Sequence, residues 1–90
     1  MYKLVFTQSY VRRARKFLKK HPDILGQYEK TLQLLALNPH HPSLRLHSLQ
    51  GKLSDLSSVS INMSYRVVLE FIIKESEVIP VDIGSHDQVY

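Results

Sequence analysis

Five histidines stand in this ninety-residue chain, His21, His40, His41, His47 and His86, and any acid–base chemistry must begin with them. The ordinary pKa of histidine lies near neutrality, so a pair can take a proton from one oxygen and give one to another. They do not read as metal ligands. His40 and His41 are neighbours in the loop Pro39-His40-His41-Pro42-Ser43, where their side chains diverge, and no H-x-x-x-H or H-E-x-x-H spacing occurs. His21, ahead of Pro22-Asp23, reads as a helix-entry residue. No cysteine is present, which excludes disulfides, thiolate metal sites and thiolate nucleophiles. Gly26, Gly51 and Gly84 each stand alone, so there is no glycine-rich phosphate loop. That leaves His47, in Leu46-His47-Ser48-Leu49-Gln50-Gly51-Lys52, and His86, just past an apolar strand in Ile83-Gly84-Ser85-His86. By itself His47 reads more readily as a surface strand residue. His86 fits a solvated C-terminal turn as well as an imidazole at a sheet rim.

The elements that must position these residues follow from periodicity. Tyr2 to Phe6 nearly alternates and predicts a short strand. Thr7 or Ser9 caps a helix running to about Lys20. On it Tyr10, Val11, Ala14, Phe17 and Leu18 fall within about 120° of arc. Arg12, Arg13, Arg15, Lys16, Lys19 and Lys20 fall opposite, as a continuous basic stripe. His21-Pro22-Asp23 restarts a helix that carries Ile24, Leu25, Tyr28, Leu32 and Leu35 and ends at Asn38-Pro39. So short a joint predicts an antiparallel helical hairpin. From Leu44 the period becomes two. Leu44, Leu46 and Leu49 precede the Gly51 turn, and Val59, Ile61 and Met63 alternate with serines and Asn62. Tyr65 to Ile73 is the most apolar strand, Lys74 to Glu77 turns the chain, and Val78 to Ile83 is the last strand. Pro80 removes one ladder donor there and predicts an edge position or a bulge. The expected fold is α+β: an N-terminal strand and a helical hairpin packed on a mainly antiparallel sheet, one domain spanning residues 1–90. If Tyr65, Val67, Leu69 and Phe71 face the helices, Arg66 lies on the other, partly open face.

Charge narrows the partners. The net charge of +4 divides into +8 over residues 1–52 and −4 over residues 53–90. Such asymmetry fits a polyanionic partner, nucleic acid first, or a protein that is simply basic. Apolar content of 43% argues against disorder, and no apolar run is long enough to span a membrane. The absence of cysteine and of a signal-peptide pattern makes the cytoplasm the expected compartment.

Three stretches, Leu46 to Leu53, Ser60 to Val68 and Asp82 to Tyr90, together resemble the RelE/ParE toxin superfamily, with greatest similarity to the RelE/StbE and YafQ-like messenger-RNA interferases. The basic hairpin fits as well, so the resemblance covers nearly the whole chain. It implies a small cytoplasmic toxin of a type II toxin–antitoxin system, restrained by an acidic antitoxin encoded beside it. It implies cleavage of mRNA, usually on the ribosome, with neither metal nor cofactor. Residue by residue, His86 matches the C-terminal histidine of YafQ-like enzymes and His47 another histidine of their site. Arg66 matches the strand arginine that RelE-type enzymes set against the scissile phosphate, and Tyr90 the aromatic residue near the chain end. Ser60 and Ser64 depart from the pattern, standing where YafQ-like toxins commonly carry a histidine and an acid. The expected RNA-binding set is the helical stripe with Arg45 and Lys52. Tyr65 and Tyr90 are candidates to stack on bases, although the parity of Tyr65 favours the core.

The chemistry implied suits these side chains. A base takes the ribose 2′-OH proton, an acid protonates the leaving 5′-oxygen, and a cation balances the phosphorane. Of the residues near the C-terminus, His86 has the ordinary pKa that suits the acid, and His47 is then the better candidate base, with the reverse assignment of the two roles left open. Two other readings compete. One is a ParE-like toxin that acts on DNA gyrase, for which the two histidines are incidental. The other is a module without catalysis that binds RNA or an acidic protein through the stripe. Convergence of His47, Arg66 and His86 distinguishes the ribonuclease from both.

Overall fold

In the computed structural model, which describes residues 1–49, 51 and 55–85, Thr7 opens the first helix. Its Oγ1 accepts the Tyr10 amide at 3.1 Å, and α1 runs Gln8–Lys20. His21 closes α1, its amide reaching back to the Phe17 and Leu18 carbonyls. A 3-10 turn at Pro22–Ile24 then leads into α2, Leu25–Leu37, which stops where the Asn38 amide bonds the Leu34 carbonyl ahead of Pro39. Both helices lie where their apolar spacing and turn residues predict. They meet through Tyr10 and Tyr28, whose buried hydroxyls share a hydrogen bond of 2.9 Å.

Among the described residues, five strands follow the expected α+β plan: β1 Lys3–Leu4, β2 His47–Ser48, β3 Ser57–Ser60, β4 Tyr65–Ile72 and β5 Glu77–Ser85. Their order is β1-β5-β4-β3-β2. Of these strands β1 runs parallel to its neighbour β5, through Lys3–Glu77 and Leu4–Val78, and the other three pairings are antiparallel. The parity of β4 holds. Val67 and Leu69 pack with Tyr10, Leu35, Val59 and Val78 in the main core, and Tyr65 and Phe71 lie against it. On the second face Val68 and Leu49 form a small separate cluster with Leu56 and Val81. That face is therefore partly covered by apolar side chains and partly polar. Among the described residues no helix is long and apolar enough to cross a membrane.

Three local expectations change. The alternation toward Met63 does not continue as a strand: β3 ends at Ser60, Ile61 is buried, and Met63 is 90% exposed. Asn62 is the cause. Its Oδ1 accepts the amides of Ser64 and Tyr65 at 2.8 and 2.9 Å, and this side-chain turn replaces the ladder. The first strand is two residues long instead of five, and the segment from Leu44 to Leu49 is mostly a 3-10 turn and loop around β2. Pro80 does mark a bulge. The β4–β5 register shifts between Val68 and Leu69, which pair with Asp82 and Pro80, and Val81 is left over.

Candidate functional site

The site is built on the second sheet face, around two serines of β3. Directly paired residues of antiparallel strands point the same way. Ser58 pairs with His47 on β2 and Val68 on β4, and Ser60 pairs with Arg66. His47, Ser58, Ser60 and Arg66 thus share one side, opposite the helices. Arg66 Nη1 donates to Ser60 Oγ at 3.2 Å, and His47 Nε2 lies 3.5 Å from Ser58 Oγ. Ser58 is fully buried and Arg66 half-buried, whereas the His47 ring is exposed. Two separate hydrogen-bonding pairs, drawn from three strands, therefore lie on this face.

The other nitrogen of His47 fixes its tautomer. Nδ1 lies 3.2 Å from the Arg45 carbonyl. A carbonyl only accepts, so Nδ1 carries the proton and Nε2 presents its lone pair. Arg45 can offer that carbonyl because its backbone is left-handed, at φ 50° and ψ 47°. For a residue with a Cβ that conformation costs on the order of 1 kcal/mol. The preceding 3-10 turn, Pro42–Leu44, holds it there. His41 Nδ1 accepts the Ser43 amide at 3.2 Å and lies 2.8 Å from Ser43 Oγ, which assigns His41 a capping role.

Beside Arg66 the surface opens into a hollow of about 420 Å³. Gln27, Ser43, Arg45, Ser60, Asn62 and Arg66 contribute its polar lining, with α2 on one side and the β3–β4 turn on the other. A narrower extension follows α2 past Lys30. Two guanidinium groups, with an ammonium farther along, give this hollow a charge that would suit an anion. Among the described residues no three histidine, aspartate or glutamate side chains converge as a metal site.

Of the residues singled out from sequence, Arg66 and Arg45 line the hollow, and His47 is bonded to the Arg45 carbonyl on the same sheet face as Arg66. His86, Tyr90 and Lys52 lie outside the described residues. The described chain ends at Ser85, paired with Tyr65, one step from Gly84, which pairs with Arg66. Tyr65 takes the helix side. Its ring and that of Phe17 pack on His21, with Tyr65 Oη 3.3 Å from His21 Nδ1. Its parity thus places it away from the Arg66 face, and it is not a base platform there. The basic stripe is exposed along α1. Arg13 departs from it: Nη1 lies 3.8 Å from Asp82 Oδ1 and 3.4 Å from the Val81 carbonyl, which ties this cation to β5. Sequence reasoning missed Gln27 and Asn62 at the hollow and Ser58 beside His47, and it marked Ser60 only as a departure from the family pattern. The period-two spacing of Ser58 and Ser60 opposite Val68 and Arg66 was the available signal. Nothing local marks Arg45 as left-handed.

No family model matches the chain, and no curated protein matches it. Solved structures do. Over the full length of both chains it is similar to a copper-bound mutant toxin from Helicobacter pylori, at 27% identity and a TM-score of 0.72. It is similar to YafQ from Escherichia coli at 12% identity and a TM-score of 0.79, covering 100% of this chain and 99% of that one. A chain of the E. coli DinJ–YafQ toxin–antitoxin complex matches at 14% identity and a TM-score of 0.77, over 99% of this chain and 97% of that one. The likeness read from the sequence motifs holds at the level of the fold.

Proposed function

We propose that this chain, which has the RelE-like toxin fold, is the toxin of a type II toxin–antitoxin pair and cleaves ribosome-bound mRNA by side-chain acid–base chemistry. The observation that carries this reading is the shared face of Arg66 and His47, each set against a serine of β3. His47 Nε2 takes the proton of a ribose 2′-OH, and its Nδ1–H stays on the Arg45 carbonyl, which stabilises the imidazolium that forms. The 2′-oxygen bonds to phosphorus, and the charge that builds on the phosphorane falls to Arg66, whose fork suits two phosphate oxygens. The bond from phosphorus to the 5′-oxygen then breaks. His86, the first residue after Ser85, supplies the proton to that oxygen, and the products are a 2′,3′-cyclic phosphate and a 5′-hydroxyl. Tyr90 stacks on a neighbouring base. Ser60 stands where YafQ-like toxins commonly carry a histidine, and here it holds the Arg66 guanidinium. That leaves a two-histidine division of labour.

Purified protein incubated with translating ribosomes and a reporter mRNA tests the proposal. Cleavage is expected, with 2′,3′-cyclic phosphate ends. Arg66→Ala lowers the rate by about two to three orders of magnitude while leaving the fold intact. Intact mRNA with wild-type protein, or gyrase-dependent DNA breaks in its place, would overturn it.

A further inference from the structure

The hollow beside Arg66 is larger than a single phosphate requires, and its chemistry is mixed in a specific way. Arg45 and Arg66 supply cations, and Gln27 and Asn62 supply amides. Asn62 Oδ1 is occupied by the amides of Ser64 and Tyr65, so its side chain can offer only the NH₂ donors. Gln27 stands exposed on α2 across the hollow. A volume of about 420 Å³ is of the order that holds one nucleotide. The geometry points to a nucleotide subsite here: one residue of single-stranded RNA next to the scissile linkage sits in the hollow. Arg45 holds its phosphate, and Gln27 and Asn62 contact its base edge. The inference rests on the ribonuclease reading for the position of the cut, but the binding itself does not need catalysis.

Arg45 then acts twice. Its carbonyl orients His47 and its side chain binds RNA, and the two can be separated because they use different atoms. Glycine adopts the left-handed backbone freely, so Arg45→Gly keeps the carbonyl in place and removes only the guanidinium. Alanine removes the same group but keeps the backbone cost.

The probe is a 2′-fluoro RNA octanucleotide of mixed sequence, which lacks the 2′-OH and cannot be cut. Titration into wild-type protein should move the side-chain amide resonances of Gln27 and Asn62 and the Arg45 Nε resonance. Arg45→Gly should weaken binding roughly tenfold, the scale of one charge-assisted hydrogen bond. It should also reduce the slope of log K on log salt by about 0.7, as for one neutralised phosphate of a single strand. Arg45→Lys should recover part of the affinity. Resonance changes confined to the Arg12–Lys20 stripe, absence of binding, or unchanged affinity in Arg45→Gly would overturn the subsite. Failure of the ribonuclease reading has a different signature: the hollow binds the octanucleotide while wild-type protein leaves ribosome-bound mRNA intact.

Discussion

His47 illustrates how much is settled by single hydrogen bonds. The Arg45 carbonyl fixes the proton on Nδ1, and Ser58 lies against Nε2, so a surface histidine acquires a defined tautomer and direction. Tyr10 and Tyr28 show the opposite case, polar groups held away from water. Burial pushes the Tyr10 phenol far above its ordinary 10.0, and the Tyr28 bond adds to this. Burial also raises Tyr28, with the bond from Tyr10 working the other way. Both phenols are therefore neutral in the folded protein. Below pH 10 they are neutral in the unfolded chain too, and their contribution to stability is complete. Above it the unfolded phenols ionise while the folded ones resist, so stability falls as pH rises. Urea midpoints measured from about pH 8 to about pH 11 should drop steeply beyond about pH 10. Tyr28→Phe should be less stable at neutral pH, lacking a bond worth about 1 kcal/mol, but should weaken less on going alkaline. Equal alkaline destabilisation of wild type and variant would show that the pair does not control this behaviour.

At the scale of the element, α1 has two jobs on opposite sides. Tyr10 and Ala14 enter the core, while Arg12, Arg15, Lys16, Lys19 and Lys20 stay exposed. Arg13 is different, since it meets Asp82 and the Val81 carbonyl, although so exposed a pair adds little to stability. Arg12, Lys16 and Lys19 follow one another at four and three residues, which puts them on one ridge. Exchanging these three for alanine should weaken ribosome association and flatten its salt dependence, by about 0.7–0.9 in slope for each phosphate that is no longer neutralised. Arg13→Ala should change the slope least. An unchanged slope in the triple variant would make the ridge a solvated helix face.

At the scale of the molecule, the helical hairpin and the early loops carry +8, while the chain from residue 53 carries −4. Opposite the helices lies a sheet face with a small apolar cluster, Leu49, Leu56, Val68 and Val81, near the polar row of His47 and Arg66. An acidic antitoxin with apolar anchors would meet both features. Expression of the chain alone should arrest growth, and co-expression of the product of an adjacent gene should relieve the arrest. The pair should associate more slowly in high salt, because long-range charge attraction is screened. Harmless accumulation of folded protein would count against the toxin reading.

What the sequence determined by itself is what local chemistry encodes. The amphipathic period, Thr7, Pro22 and Asn38-Pro39 set both helices to within three residues, the largest miss being the 3-10 turn Pro22–Ile24 ahead of α2, because capping and apolar stripes act over one or two turns. Period two separated Tyr65 from Arg66, and the missing amide of Pro80 marked the bulge. The residue types of the candidate site were legible, and their convergence was implied by the family resemblance. That His47 and Arg66 share a face depended on the β2–β3–β4 register, which couples segments far apart in the chain. The end of β3 was decided by an Asn62 side chain that outcompeted the ladder. Removal of Arg13 from the basic stripe required β5 to pass beneath α1. The hollow that Arg45 helps to line came from tertiary structure alone. It joins α2, the 3-10 turn and β3, and no window of neighbouring residues contains all three.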